Sequence, residues 1–208
     1  MPTVVSVSIG SSRRDHEASI EVLGQTFHVR RVGTDGDLKR AAALLEELDG
    51  QVDAIGLGGI DIYLYSRTRR YALRDGLRLM QVVKETPVVD GSGLKNTLER
   101  ETIRILDNEG ILRLRDRPVL MVCAMDRFGM AQALEETGAR VVYGDLIFGL
   151  QVDQPIHSLE ELEIRADKLL PDVAKLPHSV LYPTGKKQEQ IEPHPMTAPY
   201  FEAAEIVA

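Results

Sequence analysis

The spacing of apolar and polar positions changes several times along the chain. Val5, Val7 and Ile9 alternate with Ser6 and Ser8, the period of a strand whose second face carries small residues. "ASIEVLG" and "TFHVRRVG" flank Gly24 and predict a hairpin. From Asp35 the period becomes helical: Leu38, Ala41, Ala42, Leu45 and Leu48 share one face, and Gly50 ends the run. "VDAIGLGGI" returns to an apolar strand that closes on glycines. "DIYLYSRTRRYALRD" reads as two short strands around a basic turn, and a helix is expected from about Gly76 to Lys84.

The alternation continues. "TPVVDG" is a strand, and Leu94, Leu98, Thr102, Ile105 and Leu106 form a helical stripe. "RPVLMVCAM" is the most apolar strand, "RFGMAQALEETGA" a helix stopped by Gly138, and "RVVYGD" a further strand. Ser158 and Glu161 have capping-box spacing ahead of a stripe at Leu159, Leu162, Ala166 and Leu169. Strands alternating with helices predict an α/β protein with a mostly parallel sheet and helices on both faces. The expected division is an N-terminal α/β lobe over residues 1–112 and a Rossmann-like lobe with a proline-rich tail over 113–208. Pro177, Pro183, Pro193, Pro195 and Pro199 break any long element in that tail. The final "EIVA" reads as a strand start without a partner, which fits a piece of a longer chain or an end that pairs with a neighbour.

Composition narrows the function classes. The 208 residues can bury a sizeable core without a covalent staple. A net charge of −7, with both signs interspersed, argues against a broad nucleic-acid footprint. No apolar run approaches the roughly 20 residues of a membrane span, and the N-terminus lacks the basic start of an export signal. One cysteine, Cys123, excludes an intrachain disulfide, and its place at the end of an apolar strand predicts an inert packed thiol. A cytoplasmic protein follows, with a homodimer expected and neither nucleic acid nor membrane as partner. The five histidines contain no H-x-x-x-H pair, so no metal is expected. Lys186 and Lys187 of "YPTGKKQ" read as solvated lysines.

Four stretches have the residue types for chemistry. "IGSSRRD" puts two hydroxyls, Ser11 and Ser12, and two guanidiniums, Arg13 and Arg14, after a strand, and the planar arginine fork suits carboxylate or phosphate oxygens. In "GLGGID", Gly58 and Gly59 permit close backbone approach, and Asp61 is a catalytic candidate expected to face the same crevice as Asp90. In "DGSGLKNT", Gly91 and Gly93 open a helix whose free N–H groups attract anions. There Asp90 is placed to accept a proton or a substrate hydroxyl, Lys95 to neutralise an anion, and Asn96 and Thr97 to line the same mouth. All three loops follow strands and are expected to share one crevice.

The fourth stretch, "VLMVCAMDRFGMAQALEETGARVVYGD", is strand, turn, helix and strand. Ala124, Met125, Asp126, Arg127, Phe128 and Gly129 form the turn, and Asp145 lies at the spacing of an acid that meets ribose hydroxyls. The turn lacks G-x-G-x-x-G.

"VVDGSGLKNTLER" followed by that unit resembles the shikimate/quinate dehydrogenase family over about residues 87–145. The resemblance implies NAD or NADP as cofactor and a small hydroxylated, anionic substrate. It also implies that Asp90 is the aspartate working beside a catalytic lysine. Val88 and Val89 stand in place of the family's Asn-Thr pair, and its upstream lysine motif is not matched. Two other classes stay open: a non-redox protein that binds a phosphate- or carboxylate-bearing small molecule, and an assembly module whose apolar ends complete a dimer.

Overall fold

The computed structural model describes residues 1–182 and 195–208; Pro183, Lys186, Lys187 and Pro193 lie outside the described residues. In chain order the elements are β1 (Thr3–Ser8), β2 (His16–Val22), β3 (Gln25–Gly33), α1 (Leu38–Leu48), β4 (Ala54–Gly58), β5 (Tyr63–Tyr65), β6 (Arg70–Ala72), α2 (Arg74–Met80) and β7 (Val88–Val89). Then come α3 (Ser92–Asn96), α4 (Leu98–Asn108), β8 (Pro118–Met121), α5 (Phe128–Glu136), β9 (Arg140–Tyr143), α6 (Leu159–Val173), α7 (His178–Leu181), α8 (Ala198–Ala203) and β10 (Ile206–Val207). The protein is a mixed α/β chain. It divides into two compact units: residues 1–63, 72–92 and 172–182, and residues 64–71, 93–171 and 195–208. Residues 93–112 belong to the second of these.

The first unit holds a five-stranded sheet in the order β2-β3-β1-β4-β7. Only the β2–β3 pair is antiparallel. Its two-residue turn has Leu23 and Gly24 at φ 53° and 75°, the left-handed pair that matches the twist of a tight hairpin. Alternation on β1 and β4 sends Val5, Val7, Ile55 and Leu57 into the core with Ala41, Leu45 and Leu48 of α1. Burying each of these Val, Leu and Ile side chains contributes about 1.5–3 kcal/mol. Asp37 caps α1 by accepting from the Lys39 and Arg40 N–H groups.

The helix expected over Gly76–Lys84 starts earlier, at Arg74, and stops at Met80. Asp49 accepts the Lys84, Glu85 and Thr86 N–H groups and so holds that segment in a turn. These bonds keep the Asp49 carboxyl at about 2.

The second unit holds a parallel sheet in the order β10-β8-β9. The terminal strand expected to lack a partner pairs with β8, Ile206 opposite Val119 and Val207 opposite Leu120. The helical stripe after Asp90 also needs correction. Leu94, Leu98 and Ile105 are exposed, and Ile103 is the buried residue of α4. The chain breaks between α3 and α4 at Thr97, so the two short helices do not share one continuous face. The inward side of α4 carries Glu99, Arg100 and Asp107, which find polar partners within the unit. Among the described residues no helix is long and apolar enough to cross a membrane.

Candidate functional site

In the first unit, strands β1, β4 and β7 are neighbours and parallel, so their carboxyl ends bring the loops at Ser11, Asp61 and Asp90 to one edge. A Cβ on Gly59, which has φ +69°, would lie 3.1 Å from the Gly10 nitrogen; only glycine lets these two loops close together. Gly58 packs similarly onto Ser8.

The loops converge, but their polar groups are occupied by one another. Asp90 Oδ2 accepts from the Ile62 and Tyr63 N–H groups at 2.6 and 3.0 Å. Its Oδ1 accepts from the Ser92 N–H at 3.0 Å and the Ser92 hydroxyl at 2.7 Å. Burial pulls the Asp90 carboxyl up, but these four bonds outweigh it and leave the pKa below its ordinary value. Asp61 is buried, and its Oδ2 accepts from the Tyr182 hydroxyl at 2.8 Å while its own N–H donates back to that hydroxyl. Asp35 accepts the Ser12 N–H at 2.7 Å, and Ser11 Oγ accepts the Arg13 N–H. The Ser12 N–H bond comes first in holding the Asp35 carboxyl down, with the charges of Arg40 and Arg13 adding to it. Gly91 takes φ +83°, and a Cβ on Gly91 or Gly93 would meet nothing within 4 Å.

The remaining candidates of the third loop belong to the second unit and meet the turn after β8. Lys95 Nζ donates to both oxygens of Asp126, at 2.7 and 2.8 Å. Asn96 packs against Gly129, whose missing Cβ would sit 3.0 Å from the Asn96 backbone. The Thr97 hydroxyl donates to the Gly93 carbonyl. Arg127 pairs with Glu99 Oε1, while Glu99 Oε2 is buried with no hydrogen-bond partner among the described residues.

Asp145 closes this cluster. It follows β9, opens a single π-type turn over Asp145–Gly149, and is only 9% exposed. Its Oδ1 accepts from the Ala124 and Met125 N–H groups at 3.0 and 2.7 Å. Its Oδ2 is buried and has no partner among the described residues. Burial pushes the carboxyl up to about 6 against the two backbone bonds, and the Asp126 charge adds to the rise.

Cys123 corrects the sequence expectation: the residue is exposed, not packed away. Even so, the protein around its sulfur, with Asp145 and Asp126, pushes the thiol up to about 12, so it is no thiolate at neutral pH. Among the described residues no group of three or more His, Cys, Asp or Glu side chains is placed to hold a metal ion.

The turn tests poorly as a pyrophosphate cradle. The Ala124 and Met125 N–H groups are taken by Asp145, Phe128 is 3% exposed, and Gly129 is spent on contact with Asn96. In this arrangement the residues present do not fit a dinucleotide laid across the turn.

Sequence reasoning missed the Tyr182–Asp61 pair, a Glu99–Arg127 pair and the binding of His178 N–H to buried Asp75 at 2.8 Å. Tyr182 and His178 lie in the proline-rich tail, where no periodic signal ties them to loops more than 100 residues earlier.

Fold and edge chemistry together define a mixed α/β protein whose polar clusters gather at the carboxyl ends of parallel strands. Residues 3–90 match a family described as a domain of unknown function, DUF8753. Residues 93–208 match a second, also described as a domain of unknown function, DUF8754; this match spans more than half of the chain, which belongs to that family. No curated protein matches the chain.

Proposed function

We propose that the protein binds a small hydroxylated, anionic metabolite at the carboxyl ends of β8 and β9 and does so without hydride transfer. The observation that carries this reading is Asp145 Oδ2, a buried acceptor held in place through its other oxygen and left without a donor. Such an atom costs about 1–3 kcal/mol unless something satisfies it. A ligand hydroxyl does so, and Lys95 and Arg127 stand in the same cluster to exchange their present carboxylates for one on the ligand.

A second reading keeps the shikimate/quinate dehydrogenase-like oxidoreductase with NAD or NADP. It is favoured by the order β8, α5, parallel β9 and a terminal acid, which is the layout of a dinucleotide-binding unit. That reading includes a Rossmann-like second lobe beside an N-terminal α/β lobe, with Asp90 on the substrate hydroxyl. Cytoplasmic location and a homodimer belong to both readings.

Calorimetric titration of the full chain with quinate and shikimate, and fluorescence titration with NADH and NADPH, separates them. The binding reading expects saturable heat from a polyhydroxylated acid, weakened at least about tenfold in Asp145→Asn by loss of a charge-assisted bond. It expects no NADH or NADPH signal at millimolar concentration. Nucleotide binding would favour the oxidoreductase, and equal affinity of wild type and Asp145→Asn for the acid would remove Asp145 from the site.

A further inference from the structure

The loop after β1 contains a feature independent of the Asp145 cluster. Arg14, from the short 3-10 turn Ser12–Arg14, folds back over Gly10. A Cβ on Gly10 would lie 2.5 Å from Arg14 Nη2, 3.1 Å from Arg31 Nη2 and 3.2 Å from Ser8 Oγ. Two guanidinium groups and a hydroxyl therefore crowd one point above a buried glycine, at the carboxyl end of a parallel strand.

The two arginines are held differently. Arg31 is fixed: its Nη1 donates to the Ser11 carbonyl at 3.0 Å and to Asp15 Oδ1 at 2.8 Å, and its Nη2 donates to Ser8 Oγ at 2.9 Å. Its side chain is 18% exposed. Arg14 is exposed, and its guanidinium has no hydrogen-bond or ion-pair partner among the described residues. Arg31 has a carboxylate in Asp15, whose Oδ1 is also shared with the Gly33 N–H, while Arg14 brings a second cation to the same point with no carboxylate of its own among the described residues. Like charges this close repel. In a chain of net charge −7, such a local excess of positive charge is out of character.

We propose that Arg14 and Arg31 form an oxyanion subsite over Gly10, which takes the phosphate or carboxylate group of a small molecule between the two guanidinium forks. Arg31 is the preorganised half, already oriented by Ser8, Ser11 and Asp15. Arg14 is the adjustable half, which closes on the anion. A side chain at Gly10 would displace the Arg14 guanidinium from this point. Arg13 plays a different part, lying beside Asp35.

The test is calorimetric titration of the full chain with inorganic phosphate and, separately, with acetate, at fixed ionic strength. Saturable binding in the millimolar range or tighter is expected, weakened about tenfold in Arg14→Ala and less in Arg14→Lys, which keeps the charge but loses the fork. Preference for phosphate over acetate assigns a phosphoryl ligand, and the reverse a carboxylate; both support the subsite. Arg104→Ala, which removes an ion pair with Glu136, leaves this binding unchanged, and the dependence on Arg14 separates failure here from failure at Asp145. Should Arg14→Ala misfold, wild type is treated with phenylglyoxal, and phosphate is expected to protect Arg14 from modification. Absence of saturable binding of either anion by wild type, equal affinity in Arg14→Ala, or modification of Arg14 regardless of phosphate would overturn the proposal.

Discussion

At the end of β7, Asp90 spreads four hydrogen bonds over both of its oxygens, and its proton affinity falls in spite of partial burial. At the end of β9, Asp145 also reaches a neighbouring loop, but its two backbone bonds fall on one oxygen, and its carboxyl is pushed up to about 6. Both side chains tie the mouth of one parallel strand to the loop beside it. The difference lies in the second oxygen. Asp90 is a finished brace, with no lone pair left in need of a donor. Asp145 is a brace with one unfinished side, and a buried acceptor that destabilises the fold is the kind of strain that binding sites retain.

Removing the finished brace should cost the most stability. Asp90→Ala strands the Ile62 and Tyr63 N–H groups and is expected to lower unfolding free energy by about 2–4 kcal/mol, measured by urea denaturation followed by circular dichroism.

Asp145→Asn is expected to act in the opposite direction. The folded pKa of about 6 lies above the ordinary 3.8, so the folded protein holds a proton that the unfolded chain has released between those values. The stability contributed by that proton is present in full below about 4 and is lost as pH rises through about 6. Asparagine still offers Ala124 and Met125 an acceptor but carries no charge. The variant should therefore be more stable than wild type by about 1–3 kcal/mol at pH 7.5, with the gap closing towards pH 4. An Asp145→Asn protein that is less stable at both pH values would show Asp145 to be a finished brace after all.

Smaller effects calibrate these two. Tyr182→Phe removes the hydroxyl shared with Asp61 and should cost about 1 kcal/mol. Arg104→Ala deletes an exposed pair with Glu136 and Glu101 and should change stability by less than about 0.5 kcal/mol. A large effect at Arg104 would mean that exposed pairs, and not buried carboxylates, dominate the second unit.

The β2–β3 hairpin, α1 and the parallel alternation were legible because each rests on local periodicity. Gly24 marks the turn, and Leu38, Ala41, Leu45 and Leu48 mark a helix face whose buried members are Ala41, Leu45 and Leu48. The α4 stripe misled because Leu94, Leu98 and Ile105 have helical spacing but face solvent, while Glu99 and Arg100 turn inward to specific partners. Charge pairing of that kind has no period. At the candidate sites, residue type was informative and partner choice was not. Asp90, Lys95 and Asp145 were visible as chemistry-bearing residues. That Lys95 meets Asp126, and that Asp145 meets the turn at Ala124, depends on contacts the sequence does not encode locally.

The parallel pairing of β10 with β8 bears on how the second unit is made during synthesis. Arg117, just before β8, and Glu205, just before β10, are 88 positions apart and form an ion pair. Until residues 205–208 have emerged from the ribosome, the strand holding Val119, Leu120 and Met121 has one bare flank of backbone donors and acceptors, the surface on which nascent chains aggregate.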